Sequence, residues 1–351
     1  MNRKNITTLI LIICISLMFT GCSFAGDKSA LYSPQGTINF NYNNISTNNS
    51  FWMTNENICY LEDFLYQCYS TVTEKDKSII CGNGGYGFGI IQQYGDSIYM
   101  LDEIKFIDEG NSDYLLKVYD IKTKKTENIT VLRNCDNFLF VNETVFYLQY
   151  DWSQTPRNLS LHSFSPAMET YTTINNDVLS FGVIDEHLVY ATKESNIVSI
   201  FKYNEGNMSS EKIGEFPIEY SNEIAFNEDV SFCYTSDYVL VEYTDWENDT
   251  STIWKYAFAT NDVSQISFDG CINDFIAYDK FSYLAINEDK DTEMNCIYRL
   301  SNDSNELLKI GQFDGGCDLF VGSDEGTYAL QHNEAAFIYI SNEGDLKIVH
   351  E

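Results

Sequence analysis

Proline, histidine and basic residues are scarce in this sequence. Only 4 prolines and 4 histidines occur in 351 residues, and 21 Lys and Arg stand against 52 Asp and Glu. The resulting formal net charge of −31 excludes a general affinity for nucleic acid or for anionic lipid headgroups, because both require a positively charged face. The same charge keeps an exported protein soluble, and it favours partners that carry cations or amines.

Sustained helical spacing of apolar residues is also absent after Cys22. Aromatic residues make up 15% of the chain, with 25 Tyr and 23 Phe, and half-buried strands favour such side chains. The histidines (His162, His187, His332 and His350) are scattered, so no Ser–His–Asp or Cys–His arrangement can be proposed from the sequence. These features predict an all-β chain without enzymatic activity.

The only long apolar run lies at the N-terminus. Arg3 and Lys4 precede apolar residues 9–19, a run too short to span a bilayer but suited to a secretory signal. The ending Phe19-Thr20-Gly21-Cys22 resembles the lipobox of bacterial lipoproteins, which implies that Cys22 is lipidated. We therefore expect a signal peptide over 1–21, a lipidated tether over 22–49, and a body held outside the cytoplasm on the bacterial cell membrane by its lipid alone.

A repeat runs through the rest of the chain. Each copy has a short apolar strand, a polar turn and a strand centred on an aromatic residue or Val, and further short strands follow it. The copies lie at 50–60, 89–100, 138–147, 181–190, 232–241, 275–283 and 319–329. Four short strands every 40–50 residues, roughly, are typical of propeller blades. The sequence predicts a β-propeller over 50–351 with seven four-stranded blades, six or eight being the alternatives.

Two copies resemble the low-density-lipoprotein-receptor type of propeller. They are Tyr60-Leu61-Glu62-Asp63 and Tyr99-Met100-Leu101-Asp102, supported by third strands such as Ile297-Tyr298-Arg299. The chain is also similar to bacterial lipoproteins that carry this propeller. The resemblance implies a propeller with a binding role rather than a particular activity.

Loops between the second and third strands lie at one end of a propeller. Asp151-Trp152 and Asp245-Trp246 occupy two such loops, and we place three acidic pairs or runs in others: Asp102-Glu103, Asp108-Glu109 and 288–291. A Trp ring offers a stacking face and Asp a charged acceptor, a combination suited to sugars or amines. The alternative is that all these residues are solvated hairpin tips.

A glycine-rich segment over 82–89 contains a GxGxxG pattern. A strand and a hairpin follow it instead of the helix that a dinucleotide site needs. Tyr86 and Phe88 become candidate ligand contacts on a loop over the channel mouth, and an extended connection between blades is the alternative.

Cysteines suggest one disulfide and no metal site. Cys59 and Cys68 would face each other if Asp63-Phe64 forms a turn, although an exported chain of this size can also keep its thiols free. Cys135, Cys271 and Cys317 precede the first strands of three copies, but their spacing matches no zinc motif. No cofactor is predicted, and calcium could bind only through pooled acidic charge.

Together these observations predict a monomeric, non-enzymatic lipoprotein that binds a ligand or a protein. Its partner would be an envelope protein or a surface ligand, either cationic or a carbohydrate. A carbohydrate-active hydrolase or lyase and a structural subunit of an envelope assembly are the alternatives.

Overall fold

The computed structural model describes the chain from residue 51 to residue 350, with gaps. The described residues are 51–53, 57–62, 65–70, 75–79, 90–94, 97–108, 111–120, 122–123, 125–151, 158–185, 187–220, 226, 230–277, 280–288, 294–322, 326–331 and 336–350. All of them belong to the second of two compact units, Met1–Ser33 and Pro34–Glu351.

The described residues form seven antiparallel sheets, each made of four strands that are consecutive in the chain. Sheet 1 contains β1 (Phe51–Met53), β2 (Asn57–Glu62), β3 (Leu65–Ser70) and β4 (Lys75–Ile79). Sheet 2 contains β5 (Ile90–Tyr94), β6 (Ser97–Asp108), β7 (Asn111–Asp120) and β8 (Lys125–Arg133). Sheet 3 contains β9 (Cys135–Val141), β10 (Thr144–Asp151), β11 (Asn158–Ser165) and β12 (Thr170–Asn175).

The other four sheets repeat this order. Sheet 4 contains β13 (Ser180–Ile184), β14 (His187–Glu194), β15 (Ile197–Asn204) and β16 (Ser209–Pro217). Sheet 5 contains β17 (Ser231–Tyr234), β18 (Tyr238–Asp245), β19 (Thr250–Ala257) and β20 (Asp262–Asp269). Sheet 6 contains β21 (Cys271–Ala277), β22 (Phe281–Asn287), β23 (Met294–Ser301) and β24 (Leu307–Asp314). Sheet 7 contains β25 (Cys317–Gly322), β26 (Gly326–Gln331), β27 (Ala336–Ser341) and β28 (Leu346–His350).

Burial decreases from the inner to the outer strands of sheets 4, 5 and 6, because neighbouring sheets cover the inner strands more completely. In sheet 5, β18 reads Tyr-Val-Leu-Val-Glu-Tyr-Thr and is buried on both faces along that length. The outer strand β20 instead alternates between exposed and half-buried positions. A second strand therefore needs a nearly continuous apolar run, whereas a fourth strand needs only period-two alternation.

Separate apolar cores join successive sheets. One core contains Leu161 of sheet 3 and Tyr190 of sheet 4, and another contains Val189 of sheet 4 and Trp254 of sheet 5. Further cores join sheet 5 to sheet 6 and sheet 6 to sheet 7. At the other end of the series, β1 lies beside both β5 and β25, so the first and last sheets are also neighbours.

The hairpin predicted in each repeat forms the first two strands of a sheet. One loop was placed wrongly: β6 continues to Asp108, so Asp102 and Glu103 lie within a strand. The connection after Pro217, which fits the repeat poorly, contributes Ile218 and Phe226 to the core between sheets 4 and 5.

Polar turns between third and fourth strands tie each of two sheets to the one before it. Asn302 of sheet 6 bonds to Tyr238 of sheet 5, and it also accepts from Ser282 Oγ at 2.9 Å. Asn342 Oδ1 of sheet 7 accepts from Tyr283 Oη of sheet 6 at 2.9 Å. Across the described residues, no helix is long and apolar enough to cross a membrane.

Candidate functional site

The candidate site lies at the end of the sheets where second strands turn into third strands; we call this end the loop face. Among the predicted site residues, Asp245 and Trp246 are described with their side chains, and β10 ends at Asp151, whose side chain lies outside the described part. The remaining predicted contacts and the predicted lipid site also lie outside the described residues: Trp152, Tyr86, Phe88 and Cys22.

Asp245 organises the turn that carries Trp246. Its Oδ1 accepts from the backbone N–H groups of Glu247 and Asn248, at 3.2 Å each, and its Oδ2 accepts from Asn248 Nδ2 at 2.9 Å. Asp249 closes the turn with a positive φ of 52°. The Asp245 carboxylate, which the sequence predicts to contact a ligand, thus caps its own turn, while Trp246 is 54% exposed.

Gly270 brings this turn next to the corresponding loop of sheet 6. Its N–H donates to the carbonyl of Asp249 at 2.8 Å as the chain crosses from sheet 5 to sheet 6. Its φ is +114°, and a Cβ there would lie 2.8 Å from the carbonyl oxygen of Asn287 and 3.3 Å from Cα of Glu288. Only glycine tolerates both the positive φ and this close approach, so Gly270 can contact Asp249 of the Trp246 turn on one side and the backbone at Glu288 on the other.

Glu288 is the centre of a polar cluster on sheet 6. Its Oε2 accepts from Lys309 Nζ at 3.0 Å and from Cys296 Sγ at 3.1 Å, and its Oε1 accepts from Tyr298 Oη. The hydrogen bond from Tyr298, followed by those from Lys309 and Cys296, lowers the pKa of Glu288 to about 2. Burial and then Glu288 raise the pKa of Tyr298 to about 12. Glu288 is therefore a carboxylate, and Tyr298 a neutral phenol, at neutral pH.

A buried polar network holds the segment that connects sheet 5 to sheet 6. Glu242 is only 4% exposed and accepts from Thr244 Oγ1 at 2.6 Å. Thr244 Oγ1 and Ser251 Oγ lie 2.8 Å apart, and both accept from the N–H of Ile272. Ser251 also donates to the carbonyl of Gly270 at 2.8 Å. The network fixes the position of the chain between sheets 5 and 6.

Sheet 4 adds a cation and an aromatic ring to the loop face. Lys193 Nζ lies 4.8 Å from the centre of the Tyr220 ring and donates to its hydroxyl at 3.0 Å. Tyr220 stacks on Phe226 with ring centres 4.7 Å apart. Glu288 belongs to the acidic run predicted from the sequence, and the rest of that run, 289–291, lies outside the described residues. The partners of Glu288 and the group formed by Lys193 come from other strands or connections, which is why sequence reasoning missed them.

The cysteines occupy the positions expected from the repeat. The antiparallel register of β2 and β3 pairs Cys59 with Cys68, but their side chains lie outside the described part, so the disulfide stays a prediction. Cys135, Cys271 and Cys317 are the first residues of β9, β21 and β25, and all three are buried. Within the described ranges, no three His, Cys, Asp or Glu side chains are grouped to hold a metal.

No family model and no curated protein matches this chain. Several solved structures, in contrast, match the chain. The β-propeller domain of the Trilobed protease from Pyrococcus furiosus is 12% identical with a TM-score of 0.55, over 86% of this chain and 97% of that one. An uncharacterised protein from Listeria monocytogenes is 8% identical with a TM-score of 0.53, over 86% and 94%.

The chain is a β-propeller. A third neighbour, the acylaminoacyl peptidase from Pyrococcus horikoshii, is 11% identical with a TM-score of 0.51. The match covers 84% of this chain but only 50% of that one, so this propeller spans half the length of the peptidase. At such identities the likeness establishes the fold alone.

Proposed function

We propose that the chain is an extracytoplasmic lipoprotein, anchored through Cys22 in the cell membrane, whose seven sheets are the blades of one propeller. Its loop face binds a cationic or carbohydrate ligand, or a protein that presents one, and the low-density-lipoprotein-receptor likeness supports such a binding role. In this proposal the Trp246 turn binds its ligand without converting it and uses no cofactor.

The exposed Trp246 is the observation that carries this proposal. An indole ring in water is unfavourable unless it gains a partner, and here the Asp245 carboxylate holds the turn that presents it. Glu247 and Asp249 lie in the same turn, and the ionised Glu288 is brought close by Gly270. A flat aromatic face beside carboxylates suits an amine by cation–π attraction and a sugar by stacking.

Thermal unfolding of the full chain in mild detergent tests the binding. Spermine, a lysine-rich peptide and cell-wall oligosaccharides serve as the probes, each over a range of concentrations. A ligand at a hundred times its dissociation constant should stabilise the protein by about 2.7 kcal/mol. We expect one probe class to raise the midpoint, and Trp246→Ala to abolish the rise.

Met208→Ala is the matched control, because Met208 is 67% exposed in a turn between third and fourth strands, at the opposite end of sheet 4. It should leave the ligand-induced shift unchanged. An equal shift in the wild type and in Trp246→Ala would show that the ligand binds elsewhere. Release of sugar products from the oligosaccharides would favour the hydrolase or lyase alternative, and co-purification of a fixed set of envelope proteins would favour the structural subunit.

A further inference from the structure

Sheet 3 contains a serine and a histidine in direct contact. Ser160 and His162 lie two residues apart on β11, so both side chains point to the same face of the strand. Ser160 Oγ is 2.7 Å from His162 Nε2. The other ring nitrogen, Nδ1, is 3.1 Å from Oγ1 of Thr173, which pairs with His162 across β11 and β12.

The two distances indicate which ring nitrogen carries the proton. A contact of 2.7 Å is typical of a hydroxyl donor, whereas 3.1 Å lies within the usual range for N–H donors. Ser160 Oγ also lies 3.3 Å from the carbonyl oxygen of Gln149. Because the hydroxyl has a single hydrogen, the shorter contact with His162 Nε2 takes it. Ser160 therefore donates to Nε2, and Nδ1–H donates to Thr173.

The surroundings keep the imidazole neutral and in place. The His162 ring stacks on Tyr147, with ring centres 5.3 Å apart and planes 22° apart. Burial lowers the pKa of His162, so the ring is an unprotonated base at neutral pH. Both Ser160 and His162 are half-buried rather than sealed, and Gln149, the register partner of Ser160, lies two residues before the end of β10. The pair is thus close to the loop face and open to small reagents.

We propose that Ser160 is an activated nucleophile, with His162 as its general base and Thr173 as a positioning residue, and that it accepts the acyl group of small esters. This site is separate from the Trp246 turn and goes beyond ligand binding. A serine hydrogen-bonded to a base that a third group orients has the arrangement that nucleophilic catalysis requires.

The chemistry balances without a cofactor. Ser160 Oγ bonds to the carbonyl carbon of the ester while its proton passes to His162 Nε2. The bond from carbon to the leaving oxygen then breaks, and the alcohol departs with that proton. Water, deprotonated by the same nitrogen, releases the acid and restores the serine. With a fluorophosphonate the oxygen bonds to phosphorus and fluoride leaves, which blocks the site permanently.

The test is covalent labelling of the full chain with a fluorophosphonate, read by mass spectrometry of the peptide that contains Ser160. We expect modification of Ser160, none in Ser160→Ala, and a rate reduced on the order of a hundredfold or more in His162→Gln. Ser163→Ala is the matched control on the opposite face of the same strand, and it should label like the wild type.

Thr173 is tested separately, because a purely structural hydroxyl would not affect the ring. Thr173→Val should slow labelling and change the ¹⁵N shifts of His162 toward a mixture of tautomers, and Thr173→Ser should restore both. An unmodified Ser160 in the wild type, or equal labelling rates in the wild type and His162→Gln, overturns the proposal. If His162→Gln fails to fold, unchanged labelling in folded Thr173→Val shows that Thr173 does not position the base.

Discussion

At the scale of single residues, the loop face shows how one side chain can serve structure while its neighbour stays available. Asp245 directs its oxygens inward to its own turn, and Trp246 remains exposed on that turn. The dipeptide suggested that both residues would face a ligand. The turn divides the roles, because a carboxylate beside free N–H groups gains more from capping them than from facing water.

Glu288 makes the folding stability depend on pH. Its folded pKa of about 2 lies below the ordinary value of 4.5, so the unfolded chain binds a proton first as pH falls. The contribution of Glu288 is complete above about pH 4.5 and is lost as pH falls toward 2. We expect the free energy of unfolding of the wild type to exceed that of Glu288→Gln at pH 7, and the difference to shrink below pH 4.5.

Urea denaturation of both proteins between pH 3 and pH 7, roughly, measures this difference. Glu343→Gln is a suitable control, because Glu343 lies in a turn of sheet 7 outside the cluster. A difference between wild type and Glu288→Gln that stays constant across this range would contradict the role given to Tyr298 and Lys309. The 42% exposure of the Glu288 side chain keeps the effect modest.

At the scale of strands and sheets, neighbouring sheets approach each other most closely where a strand position is occupied by glycine. Gly182 lies in the middle of β13, and a Cβ there would be 2.4 Å from Cδ2 of Tyr234 in sheet 5. Tyr234 is fully buried in the core between sheets 4 and 5, so its ring has little room to move. Gly311 of β24 is different, because a Cβ there would meet Ile340 and Leu346 at 3.6 Å, an ordinary contact distance.

This contrast gives a matched pair of substitutions. Gly182→Ala should destabilise the protein by about 1–3 kcal/mol, since it overpacks a filled core. Gly311→Ala should be neutral or stabilise by up to about 1 kcal/mol, because it restricts the unfolded chain without a clash. The midpoints of urea denaturation of the two variants and the wild type measure both effects. No loss of stability in Gly182→Ala would mean that the sheets separate freely enough to accommodate the added methyl group.

At the scale of the whole molecule, the dominant property is charge. The chain carries 31 more acidic than basic groups, and folding concentrates that charge in a small volume. Like charges repel within a Debye length, which is about 30 Å at 0.01 M salt and about 3 Å at 1 M. Repulsion therefore opposes folding most strongly at low ionic strength.

Sodium chloride should accordingly stabilise the protein. We expect the thermal midpoint to rise by a few degrees, roughly, between 0.01 M and 1 M salt, with most of the rise below about 0.2 M, where screening changes most. Sucrose provides the comparison, since it stabilises by exclusion from the surface and does not screen charge. A midpoint that stays level or falls as chloride is added would mean that local ion pairs outweigh the net repulsion.

The sequence by itself determined the strands, the hairpins and their repetition. Those features depend on local rules: period-two alternation sets the strands, and residues such as Asn142 and Glu143, both with positive φ, set the turns. The alternation also placed Ser160 and His162 on one face, although their contact went unnoticed.

Only the tertiary structure decided which side chains meet across strands and sheets. Thr173 reaches His162 through the register of β11 and β12, Lys309 reaches Glu288 from β24, and Gly270 draws the Trp246 turn toward sheet 6. These contacts join residues distant in sequence, and a shift of one residue in register would turn each side chain to the other face. No local pattern encodes such pairings, because the packing of neighbouring sheets selects them.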